Sequence, residues 1–204
     1  MSNTNKTAFI NCPYDDEYKS LFQLLVYLCA YFSYEPRFAS EDYSSSSRTK
    51  KIIEMIKETS VGIHDISRIA LTDGYPRFNM PFELGMDYIY TEEFNDDRKI
   101  LVLDGNNNDY KRTLSDLNCS DIDAHENKPK KLISIVRNFF IGIEQLSDVP
   151  SPEKIFKEFR TLFKPWLSQN LKTNGVKSSL IAMNEYKNKV WMFFDKTNIV
   201  TRPT

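Results

Sequence analysis

SVGIHDISRIALTDGYPRFNMPFELGMD, residues Ser60 to Asp87, sets the reading of the whole chain. Val61 to Ile66 alternates briefly and then breaks into polar side chains, the pattern of a buried strand whose carboxyl end opens on a site. A polar loop follows. Asn79 with Pro81 then predicts a helix start, because Asn can cap free backbone N–H groups and Pro tolerates the first turn. Glu83 is expected in that first turn, where the positive end of the helix dipole favours a carboxylate. An acid that merely complements the dipole is the plainer reading of the same residue.

Working outward, Thr7 to Cys12 reads as a strand broken by the turn residues Asn11 to Asp16. Leu21, Leu24, Leu25, Leu28 and Phe32 recur at three- and four-residue spacing, which predicts a helix with one apolar stripe against a sheet. Pro36 to Ala39 is a weaker strand, interrupted by Arg37. Ser44 to Ser47 then leads into a helix with Ile52, Ile53 and Ile56 on one side. The serines read first as a helix start, and alternatively as a phosphate-holding tract with Arg48. Lys99 to Leu103 is a fourth strand, Tyr110 to Leu117 a short helix, Asp121 to Ala124 a weak fifth strand, and Lys131 to Gln145 a helix.

Strands alternating with helices imply a mostly parallel sheet, since each strand must be returned to the same end by a crossover. The expected fold is therefore α/β: a doubly wound, flavodoxin-like, five-stranded sheet over residues 1–148. From residue 149 to residue 204 the pattern changes to two aromatic-rich amphipathic helices, Glu153 to Leu171 and Leu180 to Phe194, separated by Asn174-Gly175. They are expected as a helical extension docked on the first unit, with an oligomer interface as the alternative.

With 41% apolar and 13% aromatic residues among 204, the chain is expected to fold. A formal net charge of −1 argues against a general grip on nucleic acid or a membrane surface, since both rest on a basic excess. Cys12, Cys29 and Cys119 form no CxxC pair, so neither a disulfide framework nor a zinc ribbon is expected, and a reducing cytoplasm fits. No secretory leader is expected ahead of Phe9, and the apolar run from Leu21 to Phe32 is too short to span a bilayer.

In an open parallel sheet, ligands bind beyond the carboxyl ends of the strands. That rim collects Asn11, Pro13, Tyr14 and Asp15 after the first strand, His64, Asp65, Ser67 and Arg68 at the third, and Arg77, Phe78, Asn79 and Glu83 at the following helix. Arg77 can pair with phosphate, Asn79 and Asp65 can bond ribose hydroxyls, and Tyr14 or Phe78 can stack on a base. No GxGxxG or P-loop is present, which argues against a dehydrogenase or a triphosphatase. His64, on an apolar strand, reads more readily as a hydrogen-bonded core residue than as a catalyst. His125 is weak evidence for a metal, and none is expected. A carboxylate beside a bound ribosyl group suits N-glycosidic chemistry, where a fixed negative charge stabilises an oxocarbenium-like centre.

FINCPYDDEY at the amino end, with HDIS and RFNMPFELG, resembles the TIR-like and nucleoside 2-deoxyribosyltransferase-like superfamily, over most of the first unit. The resemblance implies a catalytic glutamate after the third strand, at the position of Glu83, and NAD as a substrate rather than a cofactor. TIR-like activity on NAD, by hydrolysis or cyclisation, in bacterial antiphage defence is the leading expectation, with a homo-oligomer or a defence-system protein as partner. Glu83-Leu84-Gly85 also matches the E-x-G setting of deoxyribosyltransferases, so base exchange on nucleosides is the alternative. A non-catalytic module that binds a nucleotide signal is a third reading. The chain departs from many TIR domains in carrying Arg77-Phe78-Asn79-Met80-Pro81 where a serine-rich tract and a tryptophan-cysteine motif are usual.

Overall fold

Residues 6–41, 47–67, 77–106 and 122–199 are described by the structure, a computed structural model. Five strands, β1 (Thr7–Asn11), β2 (Glu35–Arg37), β3 (Val61–Asp65), β4 (Lys99–Asp104) and β5 (Ile122–Ala124), form one parallel sheet in the order β2-β1-β3-β4-β5. Register places Asn11 beside His64, Asp65 beside Leu103 and Asp104 beside Ala124, so the polar strand ends share one edge. The order reverses between β1 and β3, where an open sheet forms its ligand crevice. The expected helix over Tyr110 to Leu117 lies outside the described residues, as do Arg68, Cys119 and Ser44 to Ser46.

Helices cover both faces, so strand side chains are buried on either side, as parallel pairing requires. Phe9 meets Ile52, Met55 and Ile56 of α2 (Arg48–Glu58), while Ile66 and Val102 meet Met80 and Leu84 of α3 (Asn79–Phe94). Ile53, expected on the buried side of α2, is exposed, and Met55 takes its place. Ser47 caps α2, its Oγ accepting from the Lys50 backbone N–H at 3.3 Å. On the other face Ala8, Ile10, Ile63, Leu101 and Leu103 pack against α1 (Lys19–Tyr31) and α4 (Pro129–Glu144).

The single apolar stripe expected on α1 is a whole cylinder: every residue from Leu21 to Ala30 is buried. A helix closed off all round must have a layer on each side. Here the second layer is α7 (Met183–Thr197), which joins α5 (Pro152–Glu158) and α6 (Lys164–Thr173) in the same core as the sheet. Arg137 of α4 fastens the connection, donating to the carbonyls of Val149 and Pro150 at 2.9 and 2.7 Å. A π-turn, Phe159–Phe163, joins α5 to α6. Pro165 explains it, since its missing N–H and bulky ring disturb the preceding turn, and a wider turn relieves the clash. Gly175, at φ +70°, closes the segment in the left-handed region that glycine tolerates. No helix among the described residues is long and apolar enough to cross a membrane.

Phe163 is fully buried and touches Tyr27 of α1 and Tyr186 and Phe193 of α7. Phe163→Ala should cost about 3–5 kcal/mol in urea unfolding. Because the layers share one core, far-ultraviolet and tryptophan signals should shift together; two separated transitions would contradict that core.

Candidate functional site

Two buried hydrogen-bond systems pin the carboxyl edge of the sheet, one on each face. On the α3 face, Asn11 Nδ2 donates to the Met80 carbonyl and contacts His64 Nδ1, both at 3.0 Å. Only the amide nitrogen can face a carbonyl, which fixes the Asn11 orientation and makes His64 Nδ1 the acceptor. His64 therefore carries a proton on Nε2 and donates it to Asp87 Oδ2 at 2.8 Å. Asp87 also receives Arg98, Nε on Oδ1 at 2.6 Å and Nη2 on Oδ2 at 2.9 Å, while Arg98 Nη1 bonds the Thr59 carbonyl. All four side chains from Asn11 to Arg98 are buried. Asn11 Oδ1 is buried with no hydrogen-bond partner among the described residues.

On the α1 face, Asp65 is saturated. Its Oδ2 accepts from the Tyr18 hydroxyl and from His125 Nε2 at 2.8 Å, and its Oδ1 accepts from the Ser67 N–H at 3.0 Å and from the Ser67 hydroxyl. The backbone N–H of Asn127 meets His125 Nδ1 at 3.0 Å, again leaving the ring proton on Nε2. Asp65, expected to bond ribose, and Ser67, expected on the ligand rim, tie the ends of β3, β5 and the β1–α1 loop together. Gly105 allows Ser67 this close, since a Cβ there would stand 2.9 Å from the Ser67 Cβ.

Glu83 does not sit in the first turn. Phe78 occupies the N-cap position in right-handed helical conformation, Asn79 is the first residue of α3, and no side chain caps it. Asn79 is exposed, as is Phe78 at 62%. The dipole effect fades beyond the first turn, so burial governs instead. With 3% of Glu83 exposed, burial pushes its carboxyl above the ordinary value, opposed by the charge and hydrogen bond of Arg48, whose Nη2 lies 3.4 Å from Oε1. Arg48, at the start of α2, thus meets Glu83, while Ser44 to Ser46 of the serine tract before it lie outside the described residues. Arg77 pairs with Asp15 at 3.3 Å and not with Glu83.

Pro13 is buried and Tyr14 is partly exposed, its ring edge-on to Phe22 at 5.2 Å. Cys12, between them and β1, shows how closely the acids gather: burial first, then the charges of Asp65, Glu83 and Asp15, push its thiol well up. Asp65, Glu83 and Asp15 all act on Cys12 at the end of β1, and Arg48 pairs with Glu83 as Arg77 does with Asp15. Tyr18, His125, Asp87 and Arg98 belong to these networks, and Cys12 lies near Asp65, although none stands in a recognisable spacing in the sequence. Among the described residues no group of three or more metal-ligating side chains is placed to hold an ion. Comparison of the chain with protein-family models, with curated proteins and with solved structures finds no match in any of the three.

A Cβ at Gly62 would collide with Asp87 Oδ2 and stand 3.0 Å from His64 Nε2. Gly62→Ala should therefore destabilise by about 1–3 kcal/mol, seen as an earlier urea midpoint with an unchanged slope. Burial alone would raise the Asp87 carboxyl, but the hydrogen bonds from His64 and Arg98, and the guanidinium charge of Arg98, outweigh it and hold it below the ordinary value. A depressed folded value means stability present above the unfolded carboxylate value of about 4 and lost as pH falls toward the folded one. Asp87→Asn, which strands the Arg98 charge, should cost about 3–5 kcal/mol at pH 7. That gap should narrow in unfolding experiments as acid protonates the wild-type carboxylate; a gap constant with pH would contradict the assignment.

Proposed function

We propose that this chain cleaves the N-glycosidic bond of a nucleotide, with NAD as the leading substrate and Glu83 as the group facing the reacting sugar. The observation that carries the reading is the state of Glu83: a buried carboxylate on the helix that follows β3, held among the described residues by one cation, Arg48, across a long contact. Asp65 and Asp15 are engaged by shorter or more numerous partners. The strand order is that of flavodoxin-like sheets, and the NCPYD, HDIS and RFNMPFELG motifs resemble TIR-like and deoxyribosyltransferase-like proteins, which supports the same reading.

In this chemistry the bond between ribose C1′ and the nicotinamide nitrogen breaks, and its electron pair returns to that nitrogen. The leaving base departs neutral, so it needs no proton from the protein. Glu83 stabilises the positive charge left on the sugar, by contact or by a transient ester, until water or a second group of the substrate adds to C1′ and releases a proton. Tyr14 borders the site, and Arg77 lies close enough to the same edge to meet phosphate. The hypothesis extends to bacterial antiphage defence and to self-assembly. Phe78, Phe82 and Ile89, exposed on the helix that carries Glu83, are the apolar surface available to it.

Incubation with NAD should release nicotinamide, and Glu83→Gln should lower the rate by at least about 100-fold; equal release by both proteins would overturn the role of Glu83. The ionised carboxylate is the working form, so activity should fall as pH drops through its raised value. Arg48→Met removes what lowers that value and should move the acid limb of kcat/KM to higher pH.

A further inference from the structure

A cleft separates the start of α1 from the carboxyl-terminal helices. Its larger chamber, about 560 Å³, lies between Ser20 and Gln23 on one side and Lys164, Ser168 and Ser178 on the other. A smaller chamber, about 240 Å³, is walled by Tyr14, Phe22, Ile181 and Met183. Asp16 and Lys19 line both, so the two are neighbouring parts of one groove that reaches the candidate site at Tyr14 and Asp15.

The larger chamber is built for an anion. Lys164 is partly buried and donates to Gln23 Oε1 at 3.0 Å, with its ammonium 5.1 Å from the Phe159 ring centroid. Among the described residues no carboxylate pairs with it. Burial lowers its pKa, the expected consequence of a cation without a counter-charge. Because Gln23 Oε1 accepts from Lys164, the Gln23 amide nitrogen keeps its two donors for something else. Ser20, Ser168 and Ser178 add hydroxyls. The smaller chamber offers the opposite chemistry, two aromatic rings, a methionine and an isoleucine, which suits a flat heterocycle. Exposed Asp16, at the junction, can accept from sugar hydroxyls.

We infer that this groove binds a nucleoside 5′-phosphate, its base against Tyr14 and Phe22, its ribose at Asp16 and its phosphate on Lys164 and Gln23. The inference goes beyond the glycosidase reading and does not depend on Glu83. The ligand is either a free nucleotide or the distal half of a dinucleotide whose other half lies at Glu83; the recognising chemistry is the same.

Calorimetry with AMP on the full chain should show binding at millimolar or lower concentration, with adenosine at least 10-fold weaker. Lys164→Met should weaken AMP by at least 10-fold while keeping the fold, since it replaces a desolvated charge with an apolar chain of similar length. Ser20→Glu, at an exposed position, should do the same by placing an anion beside the phosphate. Glu83→Gln should bind AMP as the wild type does, even if no NAD cleavage is ever found. Displacement of AMP by NAD on Glu83→Gln would assign the groove to the distal half of a dinucleotide, and independent binding would assign it to a free nucleotide; both retain the site. Absence of AMP binding, equal binding of adenosine, or unchanged affinity in both Lys164→Met and Ser20→Glu would overturn it.

Discussion

Arg98 and Asp87, a buried ion pair with two parallel hydrogen bonds, fix where α3 lies on the sheet. The line of contacts runs from Asn11 at the carboxyl edge, through His64 and Asp87, to Arg98 and Thr59 at the opposite end of the strands. A buried pair of this kind adds little net stability compared with apolar packing, but it punishes any shift that separates its members. Glu83 stands one turn before Asp87 on the same face of the same helix. The pair that anchors α3 thereby sets where Glu83 stands relative to the sheet. Gly62 is part of the device, since only a residue without a Cβ leaves room for Asp87 against His64.

The three acids around the end of β1 differ in how they are held, and the differences sort their roles. Asp65 has four donors and no capacity left for a ligand without breaking one of them. Asp15 accepts from the Tyr18 backbone and from Arg77. Among the described residues Glu83 faces one guanidinium, more than half exposed, at 3.4 Å. Exposure screens Arg48, so its pull on Glu83 is weak, while burial raises the energy of the ionised carboxylate. A carboxylate that is buried, ionisable and loosely paired is the one that gains most from a cationic centre placed beside it.

What the sequence conveyed follows from which signals are periodic. β1, β3 and β4 are legible as short apolar runs bounded by turn residues, and α1, α4 and the carboxyl-terminal helices by apolar residues recurring at three to four positions. The inner side of α3 carries Met80, Glu83, Leu84 and Asp87 while Phe78, Phe82, Ile89 and Phe94 stand outside. Its pattern is partly inverted, and periodicity gives no guide to which side faces the sheet. Glu83 stands beyond the first turn, so the helix dipole that the sequence offers as its stabiliser does not act there. Asn79 and Pro81 look like a helix start, but the helix begins at Asn79 itself, and Pro81 is tolerated as the third residue because its N–H would be unpaired there anyway. Arg98 follows Asp96 and Asp97 in the chain, and only the fold brings it to Asp87 and Thr59.

The groove beside α1 arises from the same burial that makes the helix a whole cylinder. From Leu21 onward the sheet and the carboxyl-terminal helices close on α1 from opposite sides, and no space remains. Before Leu21, polar Asp16, Lys19 and Ser20 cannot be enclosed without loss of their solvation, so the two layers part there. Lys164, although carried by the second layer, reaches into that opening and finds an amide rather than an acid. The parting falls next to Tyr14, at the carboxyl edge where parallel strands gather polar side chains. A helical layer added to the outside of α1 therefore does more than cover it, because the addition supplies a second wall for a cleft whose first wall the sheet already provides.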